Sequence, residues 1–217
     1  MAKKDLKRGL FITFEGPEGC GKSTHSRLLC EYLKGLSYGC IHTREPGGTD
    51  LGEHIRNVLL HSKDIEITDL AELFLFEANR AQIVEEVIRP NLKAGKAVVC
   101  DRFSDATFSY QGYGGRVPLY IVKAVDRVAT GGLKPDLTIL LDIDVRTGLK
   151  RARAKGIDRM EEKDLSYHRR VRSGYLKLAK GEPRRIKVVR VADSIDETQG
   201  SVRREVMRVI RRYKRAG

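Results

Sequence analysis

The sequence predicts an α/β fold, with five parallel strands in one sheet and helices wrapped around it. Three observations predict it. Five short runs are apolar almost throughout, as strands buried on both faces must be. Segments of helical periodicity separate them, so successive strands return in the same direction. The first run ends in a glycine-rich turn that opens a helix, which places ligand chemistry at the carboxyl end of the sheet.

In chain order, residues 10–14 read as a buried strand and residues 22–36 as the helix after the glycine-rich turn. Residues 40–43 are a second short strand. Residues 70–92 keep helical spacing through Leu70, Leu73, Phe74, Ala81, Val84 and Ile88. Residues 97–100 form a third strand that runs into Asp101-Arg102, and residues 119–129 a helix. Residues 137–141 make a fourth strand ending at Asp142. Residues 145–155 and most of 165–179 are helical, and residues 186–191 are the fifth strand. In residues 202–214, Val202, Val206, Val209 and Ile210 share one helical stripe, which turns the charges onto the opposite, solvated face. No repeat or linker divides the chain. Residues 1–217 are therefore expected to be one domain, with a small lid at about 150–162.

Composition narrows the partners. The 217 residues are 41% hydrophobic and 33% charged, which suits a soluble globular protein with a sizeable core. No apolar run approaches the roughly 18 residues of a membrane span. The basic N-terminus leads into only a short apolar run that ends on Glu15, unlike a secretory signal, so a cytoplasmic location is expected. Cys20, Cys30, Cys40 and Cys100 form no CxxC pair and have no histidine at finger spacing. They read as isolated, mostly buried thiols, with Cys20 partly exposed in the glycine-rich turn. The net charge of +13 fits either nucleic acid or a site for polyanionic small molecules. Residues 184–217 carry 11 Lys or Arg against 4 Asp or Glu, but the apolar stripe makes these a solvated face and not a nucleic-acid grip.

Gly16-Pro17-Glu18-Gly19-Cys20-Gly21-Lys22-Ser23 fits GxxxxGK[ST] at every fixed position, between a strand and a helix. Its glycines allow close backbone approach, and successive N–H groups at a helix N-terminus surround phosphates. The run from Gly16 to Thr24 is therefore expected to hold the phosphates of ATP. Lys22 reaches the β- and γ-phosphates, and Ser23 offers a hydroxyl to Mg²⁺. This chemistry does not name the phosphate acceptor.

Other residues do. Phe76 and Arg80 lie one helical turn apart, off the main apolar stripe, so a ring to stack on a base sits beside a guanidinium donor. Arg102 leaves a strand end where it can hold an acceptor phosphate in a fork, while Asp101 orients it or a magnesium-bound water. Gly47 and Gly48 suggest a tight turn near a ligand. Arg151, Arg153, Lys155 and Arg159 cluster around Gly156, as in a hinged cationic lid; a solvated charged face is the competing reading.

These segments together resemble the thymidylate kinase family over nearly the whole chain. The matching stretches are Phe14-Glu15-Gly16 into the loop, Thr43-Arg44-Glu45-Pro46-Gly47-Gly48-Thr49, Phe76-Glu77-Ala78-Asn79-Arg80, Asp101-Arg102-Phe103, and residues 151–161, in that order. The resemblance implies ATP-dependent phosphorylation of dTMP to dTDP, toward dTTP, by a homodimer. It implies that Phe76 stacks on thymine and Arg80 bonds its O4. Thr107 and Tyr110 then contact the nucleoside, with Tyr110 crowding the sugar 2′ position. Arg44 and Arg56 are both candidates for the acceptor phosphate. Glu18 stands where one version of the family carries a catalytic Arg, so the lid must supply that charge. Arg153 is the first choice for it, Arg151 and Arg159 follow, and Arg151 is also placed on ATP. Glu18 is left to orient the acceptor's sugar or a water. Alternatives are a kinase for another nucleoside monophosphate, or a P-loop ATPase associated with nucleic acid.

Overall fold

In the computed structural model, β1 (Leu10–Glu15), β2 (Cys40–Arg44), β3 (Ala97–Asp101), β4 (Leu137–Asp142) and β5 (Ile186–Arg190) form one sheet. Its order is β2-β3-β1-β4-β5, and every neighbouring pair is parallel. The structure describes residues 8–62, 64–154, 156 and 158–215, with side chains described up to residue 212. The basic residues 1–7, Lys155 of the expected lid and Lys214 of the basic helix's side-chain pattern lie outside that description.

The helices are α1 (Lys22–Gly35), α2 (Asp50–His61), α3 (Asp69–Ile83), α4 (Arg89–Lys93), α5 (Ser104–Thr107), α6 (Leu119–Thr130), α7 (Val145–Arg153), α8 (Leu165–Gly181) and α9 (Ile195–Arg215). Alternate side chains of each strand face opposite layers. Leu10, Ile12 and Phe14 pack with Leu29 and Leu33 of α1 and with Val202, Val206 and Ile210 of α9. The apolar stripe expected on the basic helix is therefore real. On the other face, Phe11 and Val98 pack on Ile83, Val84 and Ile88, while Leu140 meets Val171 and Tyr175 of α8.

All five expected strands are present. The single helix expected over 70–92 is instead α3, a π-helical segment Val84–Ile88, and α4. Apolar spacing does not separate a π turn from an α turn. Two stretches carried no helix in the sequence reading. One is α2, whose Thr49 caps it by accepting from Gly52 N–H at 2.9 Å. The other is α5 with the π-helical segment Phe108–Gly114 behind it. No helix of the described residues is long and apolar enough to cross a membrane.

The register matters for function. Phe14 pairs with Asp101, and Asp101 with Arg44, so the carboxyl ends of β1, β3 and β2 finish level. The phosphate loop, the turn from Glu45 to Gly48 and Arg102 leave the sheet at this rim.

Candidate active site

The glycine-rich turn leaves β1 and wraps the N-terminus of α1. Gly19 has φ +67°, and a Cβ there would sit 2.0 Å from the Gly148 carbonyl oxygen of α7. Only glycine fits this close approach, which docks the loop on the helix leading into the lid. Lys22 Nζ donates to the carbonyls of Gly16 (3.0 Å) and Pro17 (2.9 Å). Ser23 Oγ donates to Asp101 Oδ2, joining the loop to the end of β3. Cys20 corrects the expectation of partial exposure: it is 1% exposed, because the loop turns its sulfur inward to within 3.6 Å of Lys22 Nζ. All four cysteines are buried and unpaired.

Arg102 stands beside the loop in a left-handed backbone conformation, φ +70°. Two bonds to β1 hold it there. Its own N–H reaches Phe14 O at 2.9 Å, and Phe103 N–H reaches Glu15 Oε1 at 2.7 Å. Tyr175 of α8 donates to the other Glu15 oxygen at 2.7 Å. Burial, helped by Asp105, pushes the Glu15 carboxyl up to about 8. The Arg102 side chain donates through Nη2 to Glu18 Oε1 at 2.7 Å and lies over the Tyr110 ring at 4.8 Å. Tyr110 donates to the same Glu18 oxygen at 2.6 Å. Burial works to raise the Glu18 carboxyl, but Arg102, Lys22 and the Tyr110 hydroxyl outweigh it and hold it down at about 2. Arg102 Nη1 is buried with no partner, an orphan donor on a charged group.

Phe76 and Arg80 face the same cleft from α3. Arg80 is not a loose donor at the surface: it is 1% exposed and held by Glu45, Glu77, Thr107 and Asp126. Thr107, expected on the nucleoside, is buried and bonds Arg80 at 2.7 Å. Burial lifts the carboxyls of Glu45 and Glu77 to about 7 against the pull of Arg80.

Arg44 and Arg56 both line the cleft. Arg44 is spent on Glu53, both of whose oxygens lie 2.9 Å from its Nη2. Among the described residues, Arg56 bonds the Pro46 carbonyl, at 2.8 Å, and no carboxylate. Burial and the nearby Arg44 and Arg102 cations depress its pKa, so three guanidiniums face one space. Gly47 (φ +119°) and Gly48 (φ +81°) make the expected tight turn above them.

The lid arginines diverge. Arg151 lines the cleft. Arg153 is exposed, does not line the cleft, and donates to the carbonyl of the cleft-lining Glu161 at 2.9 Å. Arg159 is tethered to Leu59 O at 2.8 Å and to Glu72. Part of this clustering is local physics: Lys150, Arg151 and Arg153 fill the last turn of α7, where cations oppose the helix dipole. Residues that the sequence reading passed over also shape the cleft, among them Glu45, Gln111, Glu161 and the stretch from Val191 to Ile195. Glu45 lay inside a quoted segment; its signal was a carboxylate next to a ligand turn.

One cleft of about 990 Å³ joins the phosphate loop to Phe76 and Arg80. Residues 14–202 match the family model described as thymidylate kinase. The chain is 45% identical to the thymidylate kinase of Nostoc punctiforme, covering 93% of this chain and 96% of that one. It is also 45% identical to that of Symbiobacterium thermophilum, over 96% and 98%. The crystal structure of thymidylate kinase from Ehrlichia chaffeensis superposes with a TM-score of 0.77 at 32% identity, covering 92% of this chain and 99% of that chain. The chain belongs to the thymidylate kinase family. It is accordingly a phosphotransferase with the five-stranded parallel P-loop fold of that family.

A thymidylate kinase uses a metal to neutralise the donor phosphates, and the residues present fit one. Ser23 Oγ and Asp101 Oδ2 are touching hard oxygen donors beside Lys22. Mg²⁺ takes one or two such protein oxygens and completes its octahedron with phosphate and water. Among the described residues no three His, Cys, Asp or Glu side chains gather into a self-sufficient metal cage. A magnesium here would therefore be shared with the nucleotide.

Proposed function

We propose that this chain transfers the γ-phosphoryl group of ATP to the phosphate of dTMP, giving dTDP. The observation that carries the reading is the single cleft with a phosphate loop at one end and the Phe76–Arg80 pair at the other. Gly16, Pro17, Glu18, Gly19, Cys20, Gly21, Lys22, Ser23 and Thr24 hold the donor phosphates, mainly through backbone N–H groups and Lys22. Ser23 and Asp101 would hold Mg²⁺, which supplies positive charge to the β- and γ-phosphates.

On the acceptor side, Phe76 stacks on the base and Arg80 donates to its carbonyl. Tyr110, with Thr107 behind Arg80, closes the pocket around the deoxyribose. Arg102, which lines the cleft, holds the acceptor phosphate, and Arg56 assists because Arg44 is already paired with Glu53. Glu18, kept ionised, fixes Arg102 and Tyr110 relative to the loop. An acceptor phosphate oxygen is already anionic, so positioning and charge neutralisation suffice without a general base. Arg151 reaches the transferring group from the cleft wall, and Arg153 arrives when the lid, about residues 150–162 of the single domain, closes. Exposed apolar side chains on α2, α3 and α6 support a homodimer.

A phosphorylation panel with Mg-ATP tests this. dTMP should be the best acceptor. dUMP should be weaker, since one methyl contact is worth about 1–3 kcal/mol, and purine monophosphates should be poor. Comparable kcat/KM for dGMP and dTMP would overturn the assignment. ATP turnover driven by nucleic acid without dTMP would favour the ATPase alternative.

A further inference from the structure

Arg80 is the largest fully buried side chain of the described residues. A guanidinium has five N–H donors. Nε and Nη2 both point at one oxygen, Glu45 Oε2, at 2.9 and 2.8 Å. Nη1 is shared among Thr107 Oγ1 (2.7 Å), Glu77 Oε1 and Asp126 Oδ1 (3.4 Å). One Nη2 hydrogen is left, on a residue that forms the cleft wall next to Phe76. The holding groups come from the end of β2, from α3, α5 and α6, so the guanidinium plane is fixed from four directions.

The cage has more acid than one cation needs. Glu45 Oε1 and Glu77 Oε2 are both buried without a partner. Stability alone does not call for this, because three carboxylates around one guanidinium carry a desolvation cost that one would not. The arrangement does immobilise a donor.

We propose that Glu45 is a positioning residue for base selection: by clamping Nε and Nη2 of Arg80 it leaves one fixed N–H donor facing the acceptor's base. A fixed donor accepts a ring carbonyl and rejects an amino group at the same place, where two donors would meet. Thymine and uracil are thereby selected over cytosine. A site built around one such hydrogen bond discriminates far more strongly than an apolar pocket. The inference rests on the proposed reading that the base lies against Phe76 and Arg80.

The test compares kcat/KM for dTMP and dCMP in wild type, Glu45→Ala, Glu45→Asp and Glu45→Gln, with folding checked by circular dichroism. Glu45→Ala should raise the dTMP KM at least tenfold, leave the ATP KM within twofold, and lower the dTMP-to-dCMP preference at least tenfold. If Glu45→Ala does not fold, Glu45→Asp, which withdraws the clamp by one methylene, carries the same expectation at a severalfold level. Glu45→Gln keeps a carbonyl oxygen for the clamp and should restore most of the preference. A folded Ala or Asp variant with wild-type preference overturns the proposal while dTMP remains the substrate. So does a Gln variant as impaired as Ala. A wild-type enzyme with no preference for dTMP over dCMP removes the underlying reading as well, which is a different result from either variant outcome.

Discussion

Arg102 adopts a backbone conformation that costs a non-glycine residue about 1–2 kcal/mol. Strain of this kind persists only where neighbours over-determine it, and here Phe14 O and Glu15 do so from the adjacent strand. The result sets the Arg102 guanidinium in the cleft wall, bonded to Glu18 and over the Tyr110 ring. Replacing Arg102 with Ala should lose a charge-assisted contact worth about 1.5–3 kcal/mol, or roughly ten- to a hundredfold in kcat/KM for dTMP. Binding of a non-hydrolysable ATP analogue should stay near normal; loss of ATP binding with dTMP binding kept would reverse the assignment. Glu15 gives a second prediction. Its carboxyl titrates near 4.3 when unfolded and at about 8 when folded. Between those values the folded chain holds the extra proton, so raising the pH across that window destabilises it. Glu15→Gln cannot titrate. Its melting temperature minus that of wild type should therefore increase from pH 5 to pH 8, and a difference that stays flat would mean the carboxyl is ionised throughout. Glu15 was visible in the sequence only as the residue before the loop; its clamp on Phe103 needed the strand pairing of β1 with β3.

At the scale of elements, the phosphate loop and α7 touch backbone to backbone. A Cβ on Gly148 would meet the Glu18 carbonyl oxygen at 2.3 Å, in the middle of a helix where Ala is otherwise preferred by about 1 kcal/mol. Gly148→Ala should therefore shift the loop and raise the ATP KM severalfold, and an unchanged ATP KM would show that this contact is slack. The lid arginines differ in exposure, Arg151 and Arg153 being exposed and Arg159 largely buried. Arg153 is exposed, so Arg153→Ala should cut kcat while leaving the melting temperature within a degree or so. An arginine of this kind is worth about 10³ or more in rate. Arg151→Ala should also slow turnover. Arg159→Ala should lower the melting temperature instead, because it strips a partner from buried Glu72. Alanine at 151 and 153 with kcat within a few-fold of wild type would reduce the cluster to helix-dipole chemistry. The strands and the loop were legible because their signals are local: apolar runs, glycines, a Lys-Ser pair. The π-helical segments were not: the apolar spacing of Val84–Ile88 reads as α, and Phe108–Gly114, with two glycines, carries no helical spacing at all. Helix α2 carried both a cap signal, Thr49 followed by Asp50 and Glu53, and helical apolar spacing through Leu51, Ile55, Val58 and Leu59, which the motif reading of this stretch passed over.

For the whole molecule, the sequence placed donor and acceptor residues on one sheet edge, and the cleft joins them. It could not place the partners behind them, since Asp126 reaches Arg80 across 46 residues of chain. The same limit applied to the outer surface. Leu51 and Val58 of α2, Leu70 and Phe74 of α3, and Tyr120 and Val128 of α6 are all exposed, Val128 by 83% and Tyr120 by 75%. Both α2 and α6 pack on α3, so these side chains sit on three adjoining helices. Exposed apolar side chains on adjoining helices support the proposed homodimer. A second copy is the partner proposed above, and the net charge of +13 on each copy opposes it, so dimerisation should strengthen with salt. Phe74 and Phe76 are two residues apart, on opposite sides of α3. One side faces the expected partner and the other faces the base. Loosening the interface should therefore loosen the acceptor pocket. Phe74→Glu combined with Val128→Glu should sediment as a monomer at micromolar concentration where wild type sediments as a dimer. The monomer should show a severalfold higher KM for dTMP and an ATP KM close to wild type, because the phosphate loop is held by β3 through Ser23 and by α7 through Gly19. A wild-type monomer would remove the interface. A monomeric double variant with unchanged dTMP KM would keep the dimer but show that α3 is held by its own packing, with no contribution from the second copy.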